Sequence, residues 1–156
     1  DNMPKEFIMR GQTASGDTET LTMSGVSDGY GYVITQFDLF PSQAIGQSAT
    51  EMMATVTADN TAETATDPNF NNPGLIATAY NSIQNSQYAG HNQSVVNDLF
   101  IITQDLILMA QDNQSLPINW QIKFKEVKLS SSAEAVANYK QYTIYNTSSW
   151  ALLSTT

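Results

Sequence analysis

Cysteine is absent from this chain, histidine occurs once, and only 13% of the 156 residues are charged. Without Cys there is no disulfide, no thiolate nucleophile and no thiolate metal ligand. His91 lies between Gly90 and Asn92 in a polar stretch predicted to be a loop. No nearby acid and nucleophile complete a catalytic set around it, so it receives no role. General acid–base catalysis and metal coordination draw on groups that titrate or coordinate near neutral pH, and here they are scarce. The expectation is a protein that is not an enzyme and carries no cofactor and no metal.

Long apolar runs are missing too. No stretch approaches the ~18 residues needed to span a bilayer as a helix, and the longest apolar run is interrupted by Thr103, Gln104 and Asp105. Asp1 to Arg10 lacks the apolar centre of a signal peptide. Positive charge is also rare. Six basic residues stand against fifteen acidic ones, for a net charge of −9. Up to Asp112 only Lys5 and Arg10 oppose thirteen acids, whereas Lys123, Lys125, Lys128 and Lys140 later oppose Glu126 and Glu134. An acidic body repels phosphates, which argues against nucleic acid and anionic membrane as partners.

What is abundant is Ser, Thr, Asn and Gln in short runs that alternate with apolar residues. The length suits one domain, and the period is two almost throughout, which predicts strands. Phe7, Met9 and Gln12 to Ser15 lead into a Gly16-Asp17 turn, and Leu21 and Met23 mark a second strand. After Ser27-Asp28-Gly29, Tyr30, Tyr32, Ile34 and Gln36 fall on one face of a third strand and Val33, Phe37 and Leu39 on the other, until Pro41. Met52, Ala54, Val56 and Ala58 predict a half-buried fourth strand. A long polar loop from Asp59 to Gly74 contains Asp67-Pro68 and Asn72-Pro73-Gly74, and Leu75 to Ile83 predicts a fifth strand. Val95 to Ile102 and Leu106 to Ala110 predict a central hairpin. Ile118, Trp120, Ile122 and Phe124 alternate with Asn119, Gln121, Lys123 and Lys125, and the slip before Val127 predicts a β-bulge in that strand.

Ser131 to Glu134 has the spacing of a capping box, with Ala133, Val136 and Ala137 as the apolar stripe of one short helix ending near Tyr142. The division is a β-sandwich over 1–130 and a helix with an aromatic extension over 131–156. The fold class is all-β, an antiparallel sandwich. Its strand count fits an eight-stranded jelly roll, and an immunoglobulin-like sandwich is the alternative.

Candidate sites are few. Asp59, Glu63 and Asp67 share one loop, but their spacing matches no known calcium loop. Asp98, Asp105 and Asp112 recur every seven residues, and in the hairpin reading two of them fall at strand edges and turns. Gly29-Tyr30-Gly31 precedes a strand and is no phosphate loop. Asn92-Gln93-Ser94, Asn113-Gln114-Ser115 and Asn146-Thr147-Ser148 match glycosylation acceptors. Tyr and Trp are enriched at interfaces, and a short tail cannot bury many rings against itself. Tyr139, Tyr142, Tyr145, Trp150, Leu152 and Leu153 are therefore the candidates for subunit contact. Tyr80 and Tyr88 are the candidates for stacking on a sugar, since Tyr32 and Trp120 fall at inward positions.

The layout resembles small jelly-roll virion proteins of bacteriophages: cysteine-free, acidic and Ser/Thr/Asn-rich, with the strands Gly31-Tyr32-Val33-Ile34 to Phe40-Pro41 and Asn119-Trp120-Gln121-Ile122-Lys123-Phe124 and a terminal extension. The resemblance is general and transfers no functional residue. It implies a capsid, decoration or minor structural protein in the virion, whose partners are copies of itself and other virion proteins. Low charge agrees with that, because charges are costly to desolvate at repeated interfaces. The alternative is a carbohydrate-binding or receptor-binding module.

Overall fold

The computed structural model describes residues 5–23, 29–45, 49–59, 61, 63–83 and 90–129. They form an antiparallel β-sandwich of eight strands: β1 (Glu6–Thr13), β2 (Thr18–Leu21), β3 (Tyr30–Pro41), β4 (Thr50–Ala58), β5 (Leu75–Ile83), β6 (His91–Val96), β7 (Leu106–Asp112) and β8 (Ile118–Lys128). The smaller sheet has the order β1-β8-β3 and the larger one β2-β7-β4-β5-β6. Pairing is nested. β1 pairs with β8, β2 with β7 and β4 with β5, while β3 packs against β5 and β6 of the opposite sheet. The expected helix after Ser131 lies outside the described residues.

Alternation explains why these segments pair as they do. In β8, Ile118, Trp120, Ile122 and Phe124 point inward and are buried, whereas Asn119, Gln121, Lys123 and Lys125 point outward. They meet Met52, Ala54 and Val56 of β4, Ala77 and Ala79 of β5 and Leu106 and Leu108 of β7 in one core. Phe7 of β1 stacks on Phe124 at 5.0 Å between centroids and meets Tyr32 edge-on at 5.3 Å.

Three expectations are corrected. The bulge sits in β3, not in β8. Ile34 faces Phe124 and Gln36 faces Lys123, which leaves Thr35 as the extra residue, with its hydroxyl donating to Lys123 O at 3.3 Å. A bulge shifts the phase of side chains by one, so Phe37 and Leu39 join Tyr32 and Ile34 in the core and Gln36 is exposed.

The second correction concerns 95–110. β6 and β7 are not neighbours, so no hairpin forms there. After β6 the chain crosses to the other sheet, where Ile102 exchanges two backbone bonds with Tyr32 at 2.9 and 2.6 Å. The apolar run divides accordingly: Ile102 is buried while Val95 and Leu99 are exposed.

Third, β4 is buried on both faces, with Thr55 and Thr57 at 0% and 1% exposure. It is flanked by β5 and β7 in the larger sheet, so Thr78, Ile107 and Met109 crowd its outer side.

Polar groups tie the layers at defined points. Trp120 Nε1 donates to Thr13 Oγ1 at 2.9 Å, and that hydroxyl donates on to Glu19 of β2 at 3.4 Å. Asn81 Nδ2 of β5 donates to Leu39 O of β3 at 3.3 Å, and Met23 N donates to Asp105 Oδ1 at 2.7 Å. Gly16 turns the chain from β1 to β2 at φ 88°, which a residue with a Cβ adopts at a cost.

Gly31 makes room for the crossover. A Cβ there would lie 2.6 Å from Ile101 Cγ2 and 3.2 Å from Ile102 O. Gly31→Ala is therefore expected to cost about 1–3 kcal/mol through overpacking, read as a lower urea midpoint at unchanged m.

Candidate binding surfaces

Among the described residues, no group of three or more His, Cys, Asp or Glu side chains is placed to hold a metal. Two acids of the 59–74 loop, Glu63 and Asp67, turn to their own loop. Glu63 Oε2 accepts from Asn72 Nδ2 at 3.2 Å, and Asp67 Oδ2 accepts from Thr66 Oγ1 at 3.1 Å. Asp112 is buried, and its Oδ1 accepts from Gln114 N at 2.7 Å and from Leu116 N at 3.4 Å. These bonds hold the β7–β8 turn, where Ser115 has φ 60°. Asp105 likewise serves the backbone, at Met23. Asp105 and Asp112 therefore support backbone, while Glu63 and Asp67 accept from side chains.

His91 opens β6 instead of lying in a loop; it is exposed and pairs with Ser82. The sequence signal for a strand there was weak, because β6 is exposed along most of its length and shows no apolar alternation. Asn92 of the first glycosylation match lies on this strand. Asn113 of the second is engaged, its Oδ1 accepting from Glu51 N at 2.9 Å. Asn146 lies outside the described residues.

Tyr80, a sugar-stacking candidate, stands on the outer face of the larger sheet, half-buried. Its hydroxyl donates to Glu51 Oε2 at 2.7 Å. Tyr88 is outside the described residues. Tyr139, Tyr142, Tyr145, Trp150, Leu152 and Leu153, the candidates for subunit contact, all lie outside them as well. Tyr32 and Trp120 are core, as expected.

Two surface concavities are lined by described residues. A small one of about 260 Å³ lies beside β5 and β6, between Phe70, Thr78 and Val95. A larger open groove of about 600 Å³ runs over the smaller sheet, lined by Arg10, Asp38, Phe40, Asn92, Asn119 and Gln121 among others. Strand register aligns its residues in two rows. Arg10 faces Gln121, which faces Asp38, and Gln12 faces Asn119, which faces Phe40. Gln12 Nε2 donates to Asn119 Oδ1 at 2.9 Å, and Gln36 Nε2 donates to Asp38 Oδ2 at 2.6 Å. The adjacent ion pair joins Lys123 and Glu6 at 3.6 Å; both groups are well exposed, so it adds little stability. Sequence reading found Asn119 and Gln121 as outward residues. It missed the groove, because alignment with Arg10 and Asp38 depends on which strands pair and in what register.

No protein-family model matches the chain, and no curated protein matches its sequence.

Two tyrosines have displaced acidities. Burial, with a smaller contribution from the negative charge of Glu126, pushes the Tyr32 hydroxyl above its ordinary value. The hydrogen bond to Glu51, then burial, raises that of Tyr80. A raised tyrosine pKa keeps the neutral form in the folded state. Its stabilisation is full below about pH 10, where the unfolded chain begins to ionise, and is lost as pH climbs through the folded value. The buried Tyr32 hydroxyl has no hydrogen-bond partner among the described residues. Tyr32→Phe is thus expected to change stability at neutral pH by less than about 1 kcal/mol and to lessen the loss at alkaline pH, measured by urea unfolding between neutral pH and the alkaline limit.

Proposed function

We propose that the sandwich is a jelly roll and that the chain is a non-enzymatic structural protein of a bacteriophage virion, building or decorating a capsid through repeated subunit contacts. The observation that carries this reading is the nesting of β1 with β8, β2 with β7 and β4 with β5. A hairpin rolled up along its length gives such nesting, and its last pair would be β3 with β6, two strands that pack together here. Capsid proteins are one of the main users of that architecture, alongside lectins and cupins. Topology alone does not assign function, so the chemistry has to favour one of these.

A cupin-type metal enzyme is disfavoured by the residues themselves: the one histidine is exposed on β6, and the buried carboxylate of Asp112 binds turn amides. An assembly role agrees with the low charge density and with large apolar side chains left exposed on several elements, among them Ile8, Ile45, Phe70, Val95 and Leu99. The partners under this reading are further copies of the chain and other virion proteins. The aromatic segment from Tyr139 to Leu153 supplies the contact residues, with Trp150 and the tyrosines as anchors.

Size-exclusion chromatography with light scattering tests this. The full chain is expected to form a defined oligomer, and the chain lacking 142–156 is expected to run as a monomer with unchanged far-ultraviolet circular dichroism. A full chain that stays monomeric at all concentrations overturns the assembly reading, and a truncated chain that assembles equally well overturns the role of the aromatic segment.

A further inference from the structure

The groove over the smaller sheet differs from an ordinary solvated sheet face in three respects. First, it is concave, although its floor is made of three neighbouring strands. Asn92 of β6 lines it across the free edge of β3, where the larger sheet approaches the smaller. Second, its polar groups are diverse and only partly used. The side chains of Arg10 and Gln121 have no hydrogen-bond or ionic partner among the described residues, whereas the nearby Lys123 is paired with Glu6. Third, Phe40 stands 64% exposed at the end of a row that otherwise holds amides. A large ring left in water beside unsatisfied donors is a typical feature of ligand sites, which combine apolar surface with a few convergent polar groups.

We infer that this groove binds a neutral saccharide through the row Arg10, Gln121 and Asp38, with Phe40 stacking on a sugar face. Adjacent strands lie about 4.8 Å apart, so Arg10 and Asp38 are separated by about 10 Å across the row. That span suits two linked sugar rings. Each vicinal hydroxyl pair needs a donor and an acceptor side by side. Gln121 offers both from one amide, the guanidinium offers a fork of donors, and the Asp38 carboxylate accepts. The axial hydrogens of a sugar ring carry partial positive charge, which the negative face of an aromatic ring attracts.

Charge narrows the ligand class. Arg10 and Asp38 offset one another within the row, and the other polar lining residues, Asn92, Asn119 and Gln121, are neutral amides, so the lining as a whole carries no net charge and suits an uncharged sugar. Because Gln121 lies between the two charged groups, its substitution removes the central contact without disturbing the core. The site is independent of the assembly reading and of Tyr80, which lies on the other sheet.

Saturation-transfer NMR on the full chain tests the inference, with lactose, maltose, cellobiose and N,N′-diacetylchitobiose as probes at millimolar concentration. At least one is expected to receive saturation from aromatic protons and to shift the side-chain amides of Gln121, Asn119 and Asn92. Phe40→Ala and Gln121→Ala are expected to weaken that binding by at least about tenfold, and Tyr80→Phe to leave it unchanged, all with wild-type circular dichroism. Both substituted residues lie on the outer face, so the fold is expected to persist, and the amide shifts of the unsubstituted protein provide a readout that needs no variant. Absence of transfer to every probe, shifts confined to other surfaces, or undiminished binding by Phe40→Ala overturns the proposal. Light scattering on the same samples keeps this result separate from assembly.

Discussion

The structure depends on β8 being paired along both of its edges while delivering Ile118, Trp120, Ile122 and Phe124 to one side. A strand bonded on both edges has no freedom to slip, because a one-residue shift would exchange buried isoleucines for lysines and amides on the same face. That restriction sets where β1 and β3 sit, and through them the aromatic cluster of Phe7, Tyr32 and Phe124. Truncating any of the fully buried members, Ile122 for example, removes packing that the rigid layers cannot readily refill.

Around that strand the two sheets are held in register less by charge than by short polar links at the rim. The indole of Trp120, the hydroxyl of Thr13 and the carboxylate of Glu19 form one chain from the smaller sheet to the larger. Asn81 to Leu39, and Tyr32 to Ile102, form others. Each uses a neutral or backbone group, and each therefore avoids the desolvation cost of a buried ion pair. This is how a chain with so few basic residues fixes two layers with no salt bridge between them among the described residues. The buried carboxylate of Asp112 and the half-buried one of Asp105 serve backbone amides, where a carboxylate withdrawn from water is best satisfied.

Much of the sandwich was readable from residue order. Period-two alternation located the fifth strand at Leu75–Ile83, as found, and placed the inward set of β8 correctly because that strand is half-buried. Where both faces are covered, alternation vanishes, so β4 was underestimated. Where both faces are wet it also vanishes, so the start of β6, with His91, reads as loop while Val95 and Val96 read as strand. The bulge at Thr35 escaped because an inserted residue looks locally like any other; only the burial of Phe37 together with Ile34 reveals it. The central hairpin failed for a different reason. Ile101 and Ile102 have the same β-branched character whether they continue a strand or cross between sheets, and partner choice is a property of the whole chain. The groove was illegible on the same grounds, since its row joins residues from three distant strands.

Nested pairing also governs how the molecule comes into being. The amino-terminal strand finds its only described partner in β8, and β2 finds its own in β7, so neither edge can close until nearly the whole sandwich has been synthesised. Contacts of such long sequence separation slow folding. On the ribosome, Phe7 and Met9 wait in solvent through the making of every intervening strand, a window in which chaperones or sister chains meet them first.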